Sequence, residues 1–110
     1  STCLVGSEMC IRDRIRKFRD SYFQGDVDKS LPDVSPIQGD LTGMPPALFT
    51  VGTRDLLLDD SLFMYGRWLS YGSNAEIIIV PGADHAFNAF PSETTTSVEN
   101  KISEFVKSVL

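Results

Sequence analysis

One histidine and a few carboxylates are the residues of this 110-residue chain best suited to move a proton. His85 stands in Pro81-Gly82-Ala83-Asp84-His85-Ala86-Phe87, directly after the apolar run EIIIV at 76–80. Asp55 stands in Gly52-Thr53-Arg54-Asp55, directly after a second apolar run, ALFTV. Histidine titrates near neutrality and is the natural general base. A carboxylate beside it fixes the ring tautomer and stabilises the imidazolium that forms when the ring takes a proton. Asp84 adjoins His85, but adjacent loop residues usually point apart and an orienting carboxylate normally comes from another segment. Asp55 is therefore the preferred partner. Such a pair still needs a group to deprotonate, a Ser or Cys on a sharp strand-to-helix turn. No G-x-S-x-G occurs here, and Gly6-Ser7 lacks the spacing.

The two loops are useful only if the fold brings them together. Residues 47–52 and 76–80 are short apolar runs without alternation, as in strands of a parallel sheet buried on both faces. Between them Leu58, Leu62, Tyr65 and Leu69 recur at helical spacing, which predicts a helix over about 59–71. Asp59 and Asp60 suit its positive end and Gly72 its C-terminal cap. Phe63, Met64, Tyr65 and Trp68 are expected to pack the helix on the sheet. Val98, Ile102, Phe105 and Val109 predict a second amphipathic helix over about 93–109. Thr96 with Glu99 matches a capping box, and Ser92 is a competing start. A helix of about 13 residues spans roughly the length of a six-residue strand. The chain can therefore return to its starting edge through a right-handed crossover and lay the strands parallel and adjacent. In such sheets ligands bind beyond the carboxyl ends of the strands, which is where both loops emerge. Upstream, residues 15–23 carry a short helical pattern (Ile15, Phe18, Tyr22) closed by Gly25, and 26–46 read as an extended loop.

From about Phe18 onward the chain resembles the end of a hormone-sensitive-lipase-type α/β-hydrolase, of the esterase and lipase family. Four pieces carry the resemblance: Ser35-Pro36 with Gly39-Asp40-Leu41-Thr42-Gly43-Met44-Pro45-Pro46-Ala47-Leu48; Gly52 to Ser61 (GTRDLLLDDS); Trp68-Leu69 with Tyr71-Gly72; and Pro81 to Phe87 (PGADHAF). The resemblance implies that Asp55 is the acid and His85 the base of a Ser-His-Asp triad, in the chain order Ser, acid, His. It implies hydrolysis of a small acyl ester with no cofactor or metal. Leu56 stands where the family usually has Pro, and Ala86 where it usually has Gly. The serine and the glycine-rich oxyanion segment are missing. The expected architecture is thus the C-terminal portion of a single α/β-hydrolase domain over 15–110, inactive alone. The first 14 residues, with Cys3 and Cys10, resemble a translated sequencing adapter and are read as foreign to the fold.

Composition narrows the alternatives. A hydrophobic fraction of 42% and a charged fraction of 23% are those of a globular domain. A net charge of −5 argues against nucleic acid and against docking on an anionic membrane. No run approaches the roughly 20 apolar residues of a membrane span. The compartment is open, with cytoplasm favoured. A metal site from Asp55, Asp59, Asp60, Asp84 and His85 fits no recognised ligand spacing. Phe87, beside the histidine, is a candidate wall for an acyl pocket. Two other functions compete: a non-catalytic small-molecule receptor on the same fold, against which the histidine speaks, and a prolyl-oligopeptidase-type peptidase. Both strands are apolar on both faces and one edge is open, so marginal stability and association through that edge are expected for the isolated chain.

Overall fold

The computed structural model describes residues 16–23, 25–28, 30–32 and 35–110, so the expectations for the first 14 residues lie outside the described residues. The chain divides into two units, Ser1–Gly39 and Asp40–Leu110. In the first, residues 16–22 form a helix (α1) whose Phe18 and Tyr22 stay exposed; the expected apolar spacing is present but buries neither ring. Gly25 follows in the left-handed region, at φ +83°. Among the described residues of the expected extended loop, Pro36–Gln38 form a 3-10 turn with proline in its first turn.

The second unit carries the strand–helix–strand–helix order: β1 (Ala47–Gly52), α2 (Leu58–Ser70), β2 (Ala75–Val80) and α3 (Glu93–Val109). The strands pair in parallel, from Ala47 against Ala75 to Gly52 against Val80. Phe49 meets Tyr65 and Trp68 of α2 edge-to-face, with ring centroids 6.3 and 5.8 Å away. α2 thus covers the face that Phe49 shares with Ile77, and α3 borders Ile78 and Val80, of the alternate parity.

The buried stripe of α2 is rotated from the expected one. Trp68 is drawn in while Leu62 and Leu69 are 39% and 45% exposed, and Phe63 is exposed at 59%. The indole explains the shift: its Nε1 donates to Pro45 O at 2.8 Å while the ring packs on Phe49. With Ser73 Oγ donating to Met44 O at 2.9 Å, this bond ties the lead into β1 to the end of α2. The helix stops in a Schellman arrangement, with Gly72 at φ +85° and the Gly72 and Ser73 amides on Leu69 O and Trp68 O. At α3 the competing start wins over the Thr96–Glu99 box. Ser92 is the N-cap, accepting from Thr95 N–H at 3.0 Å.

Among the described residues the buried apolar ones are Leu41, Val51, Val80 and Val98. Val51 and Val80 lie in the last turns of register of their strands, so packing is tightest at the carboxyl ends. There the strands pass into their loops at very short range. A Cβ on Gly52 would collide with the carbonyl of Ala83 and lie 2.9 Å from its Cβ. Only a residue without a side chain permits this approach.

Two outcomes are expected. Gly52→Ala in the full-length protein should lower stability by about 1–3 kcal/mol, since the obstacle is backbone that must move, and an unchanged urea midpoint would refute the close approach. Asp40 Oδ1 accepts from Thr42 Oγ1 at 2.6 Å and Thr42 N–H at 2.9 Å, and these bonds hold its carboxyl below the usual aspartate range. A depressed folded pKa gives stability that is complete above the unfolded value and lost as pH falls through the folded one. Carboxyl NMR titration should show Asp40 protonating at lower pH than a free aspartate, and Thr42→Val should move it back up.

Candidate active site

Beyond the last strand residues the parallel pairing continues into the loops. Thr53 N–H donates to Val80 O and Arg54 N–H to Ala83 O, both at 3.0 Å. Thr53 Oγ1 accepts from Gly82 N–H at 2.7 Å. These three bonds lock the loop after β1 to the loop after β2. A tight turn then points Asp55 at its target: its amide donates to Gly52 O, and its carbonyl accepts from Leu58 N–H as α2 begins.

The Asp55 carboxylate serves both segments. Oδ1 accepts from Leu57 N–H at 2.8 Å, and Oδ2 lies 2.8 Å from His85 Nδ1. Asp55 thus also closes the turn into α2, which neither Asp59 nor Asp60 does. Those two are exposed in the first turn of α2, whose N-cap, Leu57, has no side-chain bond. The Asp55 side chain is only 9% exposed and that of His85 67%. A carboxylate sits underneath, and an imidazole lies over it with most of its surface open. A carboxylate in its ionised form only accepts, so beside it a neutral ring would carry its proton on Nδ1 and leave the lone pair of Nε2 on the side away from Asp55. That is the tautomer a general base requires.

Asp84 is engaged elsewhere, 3.5 Å from Arg54 Nε in an exposed ion pair that contributes little to stability. Phe87 is half-buried and lines an open cleft of about 320 Å³ with Val80, Asp84, Phe90 and Ser92; neither Asp55 nor His85 is among its walls. Among the described residues, no three His, Cys, Asp or Glu side chains are grouped to hold a metal ion. None of their helices is long and apolar enough to cross a membrane.

The histidine loop is built from consecutive short turns. Phe87 N–H donates to Asp84 O, Ala89 N–H to Ala86 O and Phe90 N–H to Phe87 O, the last two within the 3-10 turn Phe87–Ala89. This path requires Ala86 in the left-handed region, at φ +58°, the only non-glycine residue so placed among those described. Two groups that support this loop, the hydroxyls of Thr53 and Thr95, carry no signal in the sequence. Threonine in a loop or in a first helical turn looks like ordinary surface.

The left-handed conformation costs an L-residue about 1–2 kcal/mol. Ala86→Gly should therefore raise folding stability by about 0.5–1 kcal/mol after the added freedom of the unfolded chain is subtracted, and Ala86→Val should lower it. Chemical denaturation of the full-length protein measures both, and the opposite order would rule out the assigned φ.

A sequence profile described as alpha/beta hydrolase fold matches residues 3–89. An esterase of Acinetobacter venetianus is 48% identical over 40 residues, 36% of this chain and 13% of that protein. The hyperthermophilic esterase of the archaeon Pyrobaculum calidifontis superposes with a TM-score of 0.82 at 28% identity, over 89% of this chain and 33% of its own. A hormone-sensitive lipase from a metagenome library gives a TM-score of 0.72 at 28% identity, over 76% of this chain and 29% of its own. The chain thus spans a third or less of each of these relatives. It belongs to the α/β-hydrolase family, in the hormone-sensitive-lipase-type group.

Proposed function

We propose that the protein to which these 110 residues belong hydrolyses small carboxylic esters by a Ser-His-Asp mechanism, with His85 as general base and Asp55 as its orienting acid. The observation that carries this reading is the 2.8 Å contact between Asp55 Oδ2 and His85 Nδ1, with the acid covered and the ring open. The esterases and lipases to which the chain is similar support the choice of substrate class.

On this reading a serine from outside these residues supplies the nucleophile. Its Oγ attacks the ester carbonyl while Nε2 of His85 takes its proton, forming a tetrahedral oxyanion. The imidazolium is stabilised by Asp55, which stays ionised. Collapse of the intermediate breaks the bond to the alcohol oxygen, which takes the proton from Nε2 as it leaves. The base, now neutral, then deprotonates a water that attacks the acyl-serine. The second tetrahedral species collapses to the carboxylic acid and free serine, the proton returning through His85. The 110 residues by themselves hydrolyse no ester and associate through the strand edges that lack a partner in the two-stranded sheet.

The test uses the full-length protein with a short-chain p-nitrophenyl ester. His85→Ala should lower kcat by about 10⁴ or more, and Asp55→Asn by about 10³–10⁴. Asp84→Asn should leave kcat within about threefold, because it breaks only a surface ion pair. Undiminished turnover by the His85 variant would end the proposal. A fluorophosphonate probe should label the protein covalently; a receptor on the same fold would stay unlabelled.

A further inference from the structure

We infer that Thr95 is a positioning residue for the base: its buried hydroxyl holds the end of the histidine loop and thereby keeps the imidazole over Asp55. The inference rests on the reading of Asp55 and His85 as a catalytic pair.

Thr95 is the one buried polar or charged residue among those described, at 5% exposed. It lies in the first turn of α3, where its backbone N–H already meets the Ser92 cap. The side chain is not needed for capping and turns toward the loop. Thr95 Oγ1 donates to Phe90 O at 2.7 Å, lies 3.4 Å from Phe87 O, and accepts from Ser92 Oγ at 3.0 Å. The hydroxyl thus anchors the 3-10 turn that begins two residues after His85. The turn bonds accepted by the Asp84, Ala86 and Phe87 carbonyls leave little slack between that anchor and the ring. On the other side of the histidine, Thr53 Oγ1 holds Gly82 N–H. His85 therefore sits on a short span fixed at both ends by threonine hydroxyls from two different elements. One of those hydroxyls is buried, donating to Phe90 O and accepting from Ser92 Oγ.

Replacing the hydroxyl with a methyl removes the donor to Phe90 O and the acceptor for Ser92 Oγ without changing the side-chain volume much. The turn can then drift, and a displacement of about 1 Å at a reacting group can cost about 10²-fold in rate. An effect confined to positioning appears in kcat and leaves substrate affinity nearly alone.

The experiment compares Thr95→Val and Thr95→Ser in the full-length protein, well below the melting temperature of each, with His85→Ala as control. Thr95→Val is expected to lose on the order of tenfold or more in kcat, with KM within about twofold and a matching fall in the rate of fluorophosphonate labelling. Thr95→Ser, which keeps the donor and loses the methyl, is expected to return to within about threefold of the parent. If Thr95→Val is insoluble, Thr95→Cys tests the same loss with a weak donor. Parental kcat in the valine or cysteine variant beside an inactive His85→Ala would overturn the inference while leaving the catalytic pair intact. Equal losses in the valine and serine variants would overturn it too, because packing of the methyl would then be responsible. An active His85→Ala would instead remove the proposed function on which the inference stands.

Discussion

Gly52 and Ala83 stand where the two strands hand over to their loops, and the backbone at one fills the space where the other would carry a side chain. Much of the site follows from that approach. It lets Thr53 and Arg54 continue the parallel pairing past the sheet, and that continued pairing fixes how far apart the two loops run. Neither loop has enough internal bonds to define the acid-to-ring distance alone. The contact between Asp55 and His85 is thus set by a relation between main chains and completed by side chains.

Asp55 joins two tasks that could be expected of separate residues. One oxygen closes the turn into α2 and the other meets the imidazole. Fixing the carboxylate through Oδ1 removes its freedom to rotate away, so the orientation of Oδ2 is settled before any substrate arrives. In the proposed mechanism such preorganisation is worth more than the strength of a single hydrogen bond, because no reordering would be required as charge develops on the ring. The steep difference in exposure between acid and base serves the same end. The carboxylate is shielded from water, and the ring proposed to exchange protons faces outward.

Much of this arrangement was legible in the residues. Parallel strands at 47–52 and 76–80, the second of which begins one residue earlier in the structure, the intervening helix and the meeting of two loops follow from apolar runs, helical spacing and the geometry of a crossover. What escaped was set by tertiary contact. The stripe of α2 turned toward Trp68 because an indole N–H found the Pro45 carbonyl, which no periodicity reveals. Leu41 entered the core from a stretch that reads as loop. Ser92 and Thr96–Glu99 were competing signals for one helix start, and the histidine loop decided between them by ending where Ser92 begins. The roles of Thr53 and Thr95 depend on partners 29 residues and five to eight residues away, so their identities carried no warning.

The unequal packing of the unit has a mechanical meaning. Val51 and Val80 are buried near the loops, whereas toward the amino ends of the strands Leu48 and Ala75, with Phe105, border an open cavity of about 670 Å³. Regions with few apolar neighbours open first in the native ensemble. Thermal fluctuation is therefore expected to be absorbed at the amino ends of the strands, where a breathing motion disturbs nothing chemical. The end that carries Asp55 and His85 then acts as the clamped end of a cantilever, and its geometry is expected to survive excursions that the free end does not.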